Sequence, residues 1–390
     1  MARGRTVSLK AAKGEADVDA LLLPGLVNAH AHLDLAGAAA IPDRGTFADW
    51  LMGVGRARGI GGDIGEAAAT EARALATRGV VAIGDIDANR GLATRGRRNA
   101  AVEGVSYLEI VGVGAPSARA RLAGALAAVD RLGVSVGLSP HAPYSVSSEV
   151  IPEIVSAARR RRLPLAMHLA ESLDETRYLT HGDGPFVEFL KGIGRGFPFE
   201  APPGLRPIPW ADRQGLLKAG CVVIHGNDLD DDDVAILGQR SARVVYCHGT
   251  HQHFSRPPHR LLELLQAGVQ VGLGTDSGVS NQGVDLLGEL GRLAADRADI
   301  SPLTILHCAT VGGRAALSLD PGGARFEPGS QADGLLLGGL PGDAENFSPH
   351  DWASWALSAQ PSAIATLHQG RAVFAGRDTP PFLDSFCSQG

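Results

Sequence analysis

Residues 21–32 read LLLPGLVNAHAH, an apolar run that ends in two histidines two positions apart. The run from Leu21 to Val27 predicts a short buried strand. Side chains at positions i and i+2 of a strand point to the same side, so His30 and His32 are expected to face one point in space. An open doubly wound sheet usually carries a glycine-rich phosphate loop after its first strand, whereas residues 28–32 contain no glycine. This stretch therefore favours a closed barrel, with the open sheet as the alternative.

Seven further short apolar runs follow, and helical patterns separate most of them. Such runs are typical of parallel strands that are covered on both faces. After the first run, the expected strands are Val80–Asp85, Val105–Val111, Val134–Ser139, Leu163–His168, Cys221–His225, Arg243–Cys247 and Gln270–Thr275. The expected helices are Glu66–Thr77, Ala118–Leu132, Ser147–Arg160, Asp231–Gly238, Arg260–Ala267 and Asp285–Ala298. Eight strand–helix units in series predict an α/β fold of the (β/α)8 TIM-like barrel type.

The connections and the chain ends depart from this regular pattern. Residues 34–65 and 171–220 are long connections, which often form lids or binding loops in compact domains. Short apolar runs at 334–340, 363–367 and 372–374 are separated by Gly, Pro and Asp, which is typical of a small β module. We therefore predict a barrel over residues 21–320, and a small β module made from residues 321–390 and 1–20.

Composition excludes several classes of protein. The net charge of the 390 residues is −6 and the longest basic cluster is Arg159–Arg162, so nucleic acid is not an expected partner. Glycine, proline or charge interrupts every apolar stretch well before 18 residues, so no membrane span is expected. The first 20 residues lack the apolar core of a secretory signal. The four cysteines are far apart and form no C-x-x-C pair, which predicts a reduced, cytoplasmic protein.

Imidazole and carboxylate groups stand at the ends of four of the expected strands. His168 and His225 end the fifth and sixth strands, and Asp276 directly follows the eighth. With His30 and His32 they would share the carboxyl-terminal face of a barrel, which is where barrel enzymes build their active sites. Imidazoles with one carboxylate suit a divalent metal ion that keeps an open position for water. We predict one such ion, with Zn²⁺ favoured and Fe²⁺ or Mn²⁺ as alternatives.

Five motifs resemble those of the amidohydrolase superfamily, and in particular its branch of aminohydrolases and chlorohydrolases that act on nitrogen heterocycles. The motifs are LLPGLVNAHAH (22–32), SPHAPY (139–144), HLAE (168–171), IHG (224–226) and LGTD (273–276). The resemblance spans residues 21–374. It implies a barrel flanked by a small β-sandwich from both chain ends, a mononuclear metal site and a homodimer.

The resemblance also implies a role for each matching residue. The implied metal ligands are His30, His32, His168 and Asp276. Asp276 would also accept a proton, His225 would orient the attacking water or stabilise charge, and Glu171 would carry protons to a ring nitrogen. The alternative for Glu171 is a place in the N-cap region of the following helix, because Asp174 and Glu175 cluster there.

The residues expected to contact substrate carry a weaker signal. His141 resembles a substrate-binding histidine of the family, and Tyr144, Trp50 and Phe254 are candidates for an aromatic pocket, with core or lid packing as their alternative. His251 belongs to a second His-x-His pair, with His253, which lies past a strand end and is expected near the site. Residues 248–253 replace a family segment of the form Cys-Pro-x-Ser-Asn that contacts substrate.

We predict from these features a metal-dependent hydrolase that releases ammonia from a small amino-substituted nitrogen heterocycle. An adenosine-type substrate is the first choice, including the aminofutalosine or adenosylhomocysteine kind. One alternative is a chlorohydrolase, or a hydrolase of cyclic amides or other C–N bonds, on the same metal site. The other is a barrel that binds a metal or ligand without turnover.

Overall fold

The computed structural model describes residues 19–38, 40–42, 45–57, 62–192, 202–281, 283–359 and 361–376. Its strands are β1 (Leu21–Pro24), β2 (Leu26–Ala31), β3 (Val80–Asp87), β4 (Glu103–Ile110), β5 (Val136–Pro140), β6 (Ala166–Leu169), β7 (Val222–His225), β8 (Arg243–Tyr246), β9 (Gln270–Leu273), β10 (Gly334–Leu337), β11 (Ala363–His368) and β12 (Arg371–Ala375).

Helices cover the connections between the strands. They are α1 (Phe47–Ala57), α2 (Ile64–Ala76), α3 (Leu92–Asn99), α4 (Ala115–Leu132), α5 (Ile151–Arg161), α6 (Leu173–His181), α7 (Pro185–Gly192), α8 (Pro207–Arg213), α9 (Asp231–Gln239), α10 (His248–His253), α11 (Leu261–Gln266), α12 (Leu286–Asp296), α13 (Pro302–His307), α14 (Gly313–Ala316) and α15 (Pro349–Ser358). Within the described ranges, no helix has the length and apolarity needed to cross a bilayer.

Eight parallel strands form the centre of the molecule in two sheets of four. One sheet has the order β2-β3-β4-β5 and the other β6-β7-β8-β9. Single parallel bridges link the two sheets at both edges, between Leu138 and Leu165 and between Ala31 and Asp276. Almost every residue of these strands is buried, as expected when helices cover both faces of a parallel sheet. The fold is therefore a TIM-barrel-like α/β fold, in agreement with the predicted class.

The first predicted strand divides into two. Leu21–Pro24 forms β1 and pairs antiparallel with β10, whereas β2 begins at Leu26 and pairs in parallel with β3. The break falls at Gly25, where a Cβ atom would lie only 2.5 Å from the Val81 side chain. Pro24 has no N–H to continue the ladder. The prediction of a single strand over Leu21–Val27 is therefore wrong. The chain leaves one sheet and enters another at Gly25.

A third sheet is antiparallel and has the order β1-β10-β11-β12. Strands β10, β11 and β12 overlap the three C-terminal apolar runs, and the fourth strand among the described residues is β1. Residues 1–18, which were expected to contribute to the module, and residues 377–390 lie outside the described ranges. The hydroxyl of Thr366 in β11 donates to the carbonyl of Ala76 at the end of α2, which attaches this sheet to the parallel strands.

Gly274 lies where β9 approaches β2, and we predict a large loss of stability from Gly274→Ala. A Cβ atom there would lie 2.7 Å from both the backbone nitrogen and the carbonyl oxygen of His30. Backbone atoms cannot rotate away as a side chain can. We therefore expect the free energy of unfolding to fall by about 3 kcal/mol, which is at the upper end of the range for overpacked cores. Urea unfolding measures it, with Gly278→Ala as the control because the nearest atom there is 3.7 Å away. Equal stability of the two variants would contradict this packing.

Candidate active site

The carboxyl ends of β2, β6, β7 and β9 bring together the five predicted groups. One potential ligand atom from each of His30, His32 and His168 lies within 4.8 Å of the others, and His30, His225 and Asp276 form a second set within the same limit. The Nε2 atoms of His32 and His168 are 3.3 Å apart. All five side chains are buried. The shared direction of His30 and His32, predicted from their spacing, is what allows both to enter this cluster.

Asp276 faces the histidines with one carboxylate oxygen and is held by the other. Its Oδ1 lies 3.6 Å from His30 Nε2 and 3.8 Å from His32 Nε2. Its Oδ2 accepts hydrogen bonds from the hydroxyls of Thr250 and Ser280, both at 2.9 Å. The backbone of Asp276 has φ +57°, a left-handed conformation that non-glycine residues adopt at some cost. The site therefore holds this carboxylate in a strained but fully supported position.

The histidine cluster fits a divalent metal ion. Burial lowers the pKa of His30 and of His168, so both are neutral imidazoles, the form that binds metal. The Nδ1–H of His168 donates to the carbonyl of His141 at 3.1 Å, which leaves the lone pair of Nε2 facing His32. His30 Nε2 is buried without a hydrogen-bond partner among the described residues. Three imidazole nitrogens and a carboxylate that converge in this way match the donor set of a zinc site.

Glu171 reaches the cluster through a tight turn after β6. Ala170 has φ +52°, and the two carboxylate oxygens of Glu175 accept the backbone N–H groups of Ala170 and Glu171 at 3.0 and 2.9 Å. The N-cap of α6 is Ser172, whose hydroxyl accepts from the N–H of Glu175. The capping role considered for Glu171 is therefore filled by Ser172, and the Glu171 side chain places Oε1 3.6 Å from His225 Nε2.

Two carboxyl groups in this site have pKa values displaced in opposite directions. Burial, with the nearby carboxylates of Asp276 and Glu175, raises the pKa of Glu171 well above its usual value. Burial alone would also raise the pKa of Asp276, but His30, His32 and His225 outweigh it and lower the value. The shifts favour the protonated form of Glu171 and the ionised form of Asp276. Such a separation is typical of an acid and a base that act within one site.

A cavity of about 220 Å³ opens beside these groups. Its polar lining residues are His32, His141, Ser145, His168, Glu171, His225, Asp276 and Ser277. Its apolar lining residues are Leu35, Trp50, Leu51, Val54, Val111, Val113, Phe189, Leu190 and Val279, with Tyr144 and Gly55 completing the wall. Helix α1 in the first long connection and α7 in the second both contribute, as expected for binding loops.

Three of the five residues predicted to contact substrate line this cavity. They are His141, Tyr144 and Trp50. The indole N–H of Trp50 donates to the carbonyl of Ile41 at 3.2 Å and is therefore already engaged, so Trp50 offers the cavity its ring and not a hydrogen-bond donor. Tyr144 stacks on Phe186 with 3.9 Å between ring centroids, and its buried hydroxyl has no hydrogen-bond partner among the described residues.

The other two lie behind the cavity wall. Phe254 packs edge-to-face on Trp50 with 4.9 Å between ring centroids, so it supports the wall from the rear. His251 lies on α10, and its Nδ1 is 3.2 Å from Oδ1 of Asn227, whose amide donates to the Glu171 carbonyl. Neither residue is among the described residues that line the cavity.

Residues 248–253, which depart from the family segment, support Asp276 and do not line the cavity. Thr250 donates to Asp276, and the N–H of Gly249 donates to the buried carboxylate of Glu289 at 2.8 Å. A Cβ atom on residue 249 would lie 2.3 Å from the Asn281 amide, which explains glycine at this position.

Ser145 is a residue of the cavity that the sequence pattern did not point to. Its hydroxyl lies 2.7 Å from His141 Nδ1 and so orients that ring.

Comparisons with known proteins show which family the chain belongs to. The model of the amidohydrolase family matches residues 21–368. A 5-methylthioadenosine/S-adenosylhomocysteine deaminase of Natronomonas pharaonis is 29% identical and aligns over 88% of this chain and 79% of its own. The structure of Helicobacter pylori aminofutalosine deaminase superposes with a TM-score of 0.77 at 20% identity, over 91% of this chain and 86% of that chain.

A further solved structure is an adenosine deaminase from Xanthomonas campestris with bound zinc. It has a TM-score of 0.72 and 20% identity, and it covers 93% of this chain and 82% of its own. The two structural similarities support the fold, and the family match confirms the resemblance carried by the five motifs. The chain belongs to the amidohydrolase family.

Proposed function

We propose that the protein is a metal-dependent hydrolytic deaminase that releases the exocyclic amine of an adenosine-type nucleoside as ammonia. The observation that carries this proposal is the placement of two carboxyl groups, Glu171 and Asp276, against one buried histidine cluster, and the opposite directions of their pKa shifts support it. Replacing an amine on a C=N carbon by water needs an acid at the ring nitrogen and a base for the proton of the water. The names of the relatives agree with this chemistry.

One divalent ion would be held by His30, His32, His168 and Asp276. Zn²⁺ is the favoured ion, and Fe²⁺ or Mn²⁺ would accept the same donors. When bound, such an ion supplies a water whose pKa is lowered to near neutrality.

The side chains around the ion divide the proton transfers between them. The protonated Glu171 carboxyl donates to the ring nitrogen, which makes the adjacent carbon electrophilic. Asp276 Oδ1 accepts a proton of the attacking water and passes it to the amine, which leaves as ammonia when the C–N bond breaks, and the proton of the new hydroxyl group returns to Glu171. Thr250 and Ser280 hold Oδ2 in place. Burial lowers the pKa of His225 to about 3, so it acts as a neutral, fixed dipole beside Glu171 and Asp276.

We also propose that the eight parallel strands close into one barrel, because bridges link the two sheets at both edges. The barrel would run from Leu26 to about residue 320, with β1 and residues 321–376 in the accessory β module. A complete β-sandwich, a homodimer and a cytoplasmic location stay predictions.

The proposal is tested by measuring ammonia release from amino-purines, their nucleosides, amino-pyrimidines and amino-triazines with zinc-loaded protein. We expect ammonia from the purine nucleosides. Chloride release from chlorinated triazines without ammonia from any amine would favour the chlorohydrolase alternative. Binding of metal and nucleoside without any product would favour the barrel without turnover.

Glu175 is a positioning residue in this account, and Glu175→Gln is predicted to lower kcat about 10- to 100-fold, as outer-shell changes do. An amide can accept only one of the two N–H groups that hold the turn before Glu171. Bound zinc and KM are expected to stay near wild type. Steady-state kinetics and zinc content test this.

The matched control is Asp233→Asn. Asp233 is also a fully buried carboxylate in the first turn of a helix after a site strand, and it accepts the backbone N–H of Asp230. No catalytic side chain is carried by that turn. We expect Asp233→Asn to lower the free energy of unfolding with kcat unchanged. Equal kcat losses in the two variants would contradict a positioning role for Glu175.

A further inference from the structure

The part of the cavity away from the strand-end histidines has an apolar wall. Helix α1 supplies Trp50, Leu51 and Val54, α7 supplies Phe189 and Leu190, and the segment after β4 supplies Val111 and Val113. The metal ligands and Glu171 would hold the reacting ring at the polar end. The substituent carried by the rest of the substrate must therefore lie against these apolar side chains.

The same wall offers no partner for a charged group within the described residues. The carboxylates that line the cavity are Glu171 and Asp276, both at the polar end, and no described lining residue is Lys or Arg. Arg256, a cation close enough to affect Glu171, lies between the rings of Phe47 and Phe254, 5.3 and 5.0 Å from their centroids, and is not a lining residue.

We propose that this wall selects nucleosides whose 5′-substituent is apolar, such as a thioether, and rejects those that end in an amino-acid zwitterion. This inference rests on the proposed function, because it assumes that the amine-bearing carbon lies at the histidine cluster. An apolar group gains from burial against Leu51 and Val54, whereas an ammonium and a carboxylate there would lose water without gaining a charged partner among the described lining residues.

The first test compares adenosine, 5′-methylthioadenosine and S-adenosylhomocysteine as substrates of the zinc-loaded protein. We expect kcat/KM for the methylthio compound to exceed that for adenosine by about 10-fold, the effect of one or two buried apolar groups. The homocysteine compound is expected to be at least about 100-fold poorer than the methylthio compound. A homocysteine compound that reacts as well as the methylthio compound would overturn the proposal.

The second test uses two adjacent residues of α1. Leu51 lines the cavity, whereas Met52 is 36% exposed and is not a described lining residue. Leu51→Ala is expected to lower kcat/KM about 10-fold more for the methylthio compound than for adenosine, and Met52→Ala to change neither value. Equal losses for both substrates in Leu51→Ala would contradict contact with the substituent.

Calorimetric dissociation constants for the same three nucleosides separate this inference from the proposed function. The same order of affinities without ammonia from any compound would refute the deaminase and leave the selection in place. Equal affinities for all three compounds would refute the selection, whether or not ammonia is released.

Discussion

Glu171→Gln is expected to lower kcat for ammonia release by about 10²- to 10⁴-fold, the usual contribution of a general acid or base. Glutamine keeps the shape of the side chain but has no acidic proton for the ring nitrogen. The metal ligands are not changed, so zinc content and the affinity for substrate are expected to stay near wild type. Stopped-flow or steady-state ammonia measurements, with zinc determined on the same samples, give the result.

The pH dependence of kcat/KM gives an independent check on Glu171. Burial raises the pKa of this carboxyl, so the active, protonated form persists to higher pH than in an exposed glutamate and is lost as the pH rises through the raised value. We therefore expect activity to fall on the alkaline side in the wild type. The residual activity of Glu171→Gln should lack that decline. If Glu171→Gln kept both full activity and the wild-type pH profile, Glu171 would take no part in the proton transfers.

The second large effect is expected from His168→Ala, which should remove bound metal and all detectable activity. Loss of an outer-shell partner alone costs about 10- to 100-fold in metal affinity, and loss of a direct ligand costs more. Competition with a chelator, followed by zinc determination, measures the affinity. Zinc should also no longer raise the unfolding temperature, because a ligand stabilises only the state that binds it.

His259→Ala is the matched control for this change. His259 is equally buried, stacks on Tyr246 at 4.0 Å and contacts the His225 carbonyl, but it is outside the proposed ligand set. We expect it to lose stability and to keep its zinc. Full zinc occupancy in His168→Ala would show that the ligand assignment is wrong.

The positions of the histidines follow from short-range rules, which is why the sequence alone predicted them. The two-residue period of a strand sets the common direction of His30 and His32. The ends of parallel strands share one face, which brings His168, His225 and Asp276 to the same place. These inferences need only the order and type of the elements. They hold although several strand boundaries differ by two or three residues.

The cavity wall depends on tertiary packing, so it could not be predicted in the same way. Leu51 lies on α1 and Phe189 on α7. Both helices lie within the two long connections, and the sequence pattern did not predict either helix. Their orientation is set by contacts such as the edge-to-face packing of Phe47 on Phe186, 6.1 Å between centroids. The same kind of packing places Phe254 against Trp50 and outside the described residues that line the cavity.

In the proposed reaction, water replaces the exocyclic amine of an adenosine-type nucleoside. The most direct test is turnover of 5′-methylthioadenosine or adenosine by zinc-loaded protein in water enriched in oxygen-18, with mass spectrometry of the product. We expect one oxygen-18 atom at the carbon that carried the amine, with one ammonia molecule released for each molecule of product. A product that retains the exocyclic nitrogen, or that carries the label in an opened ring, would contradict it.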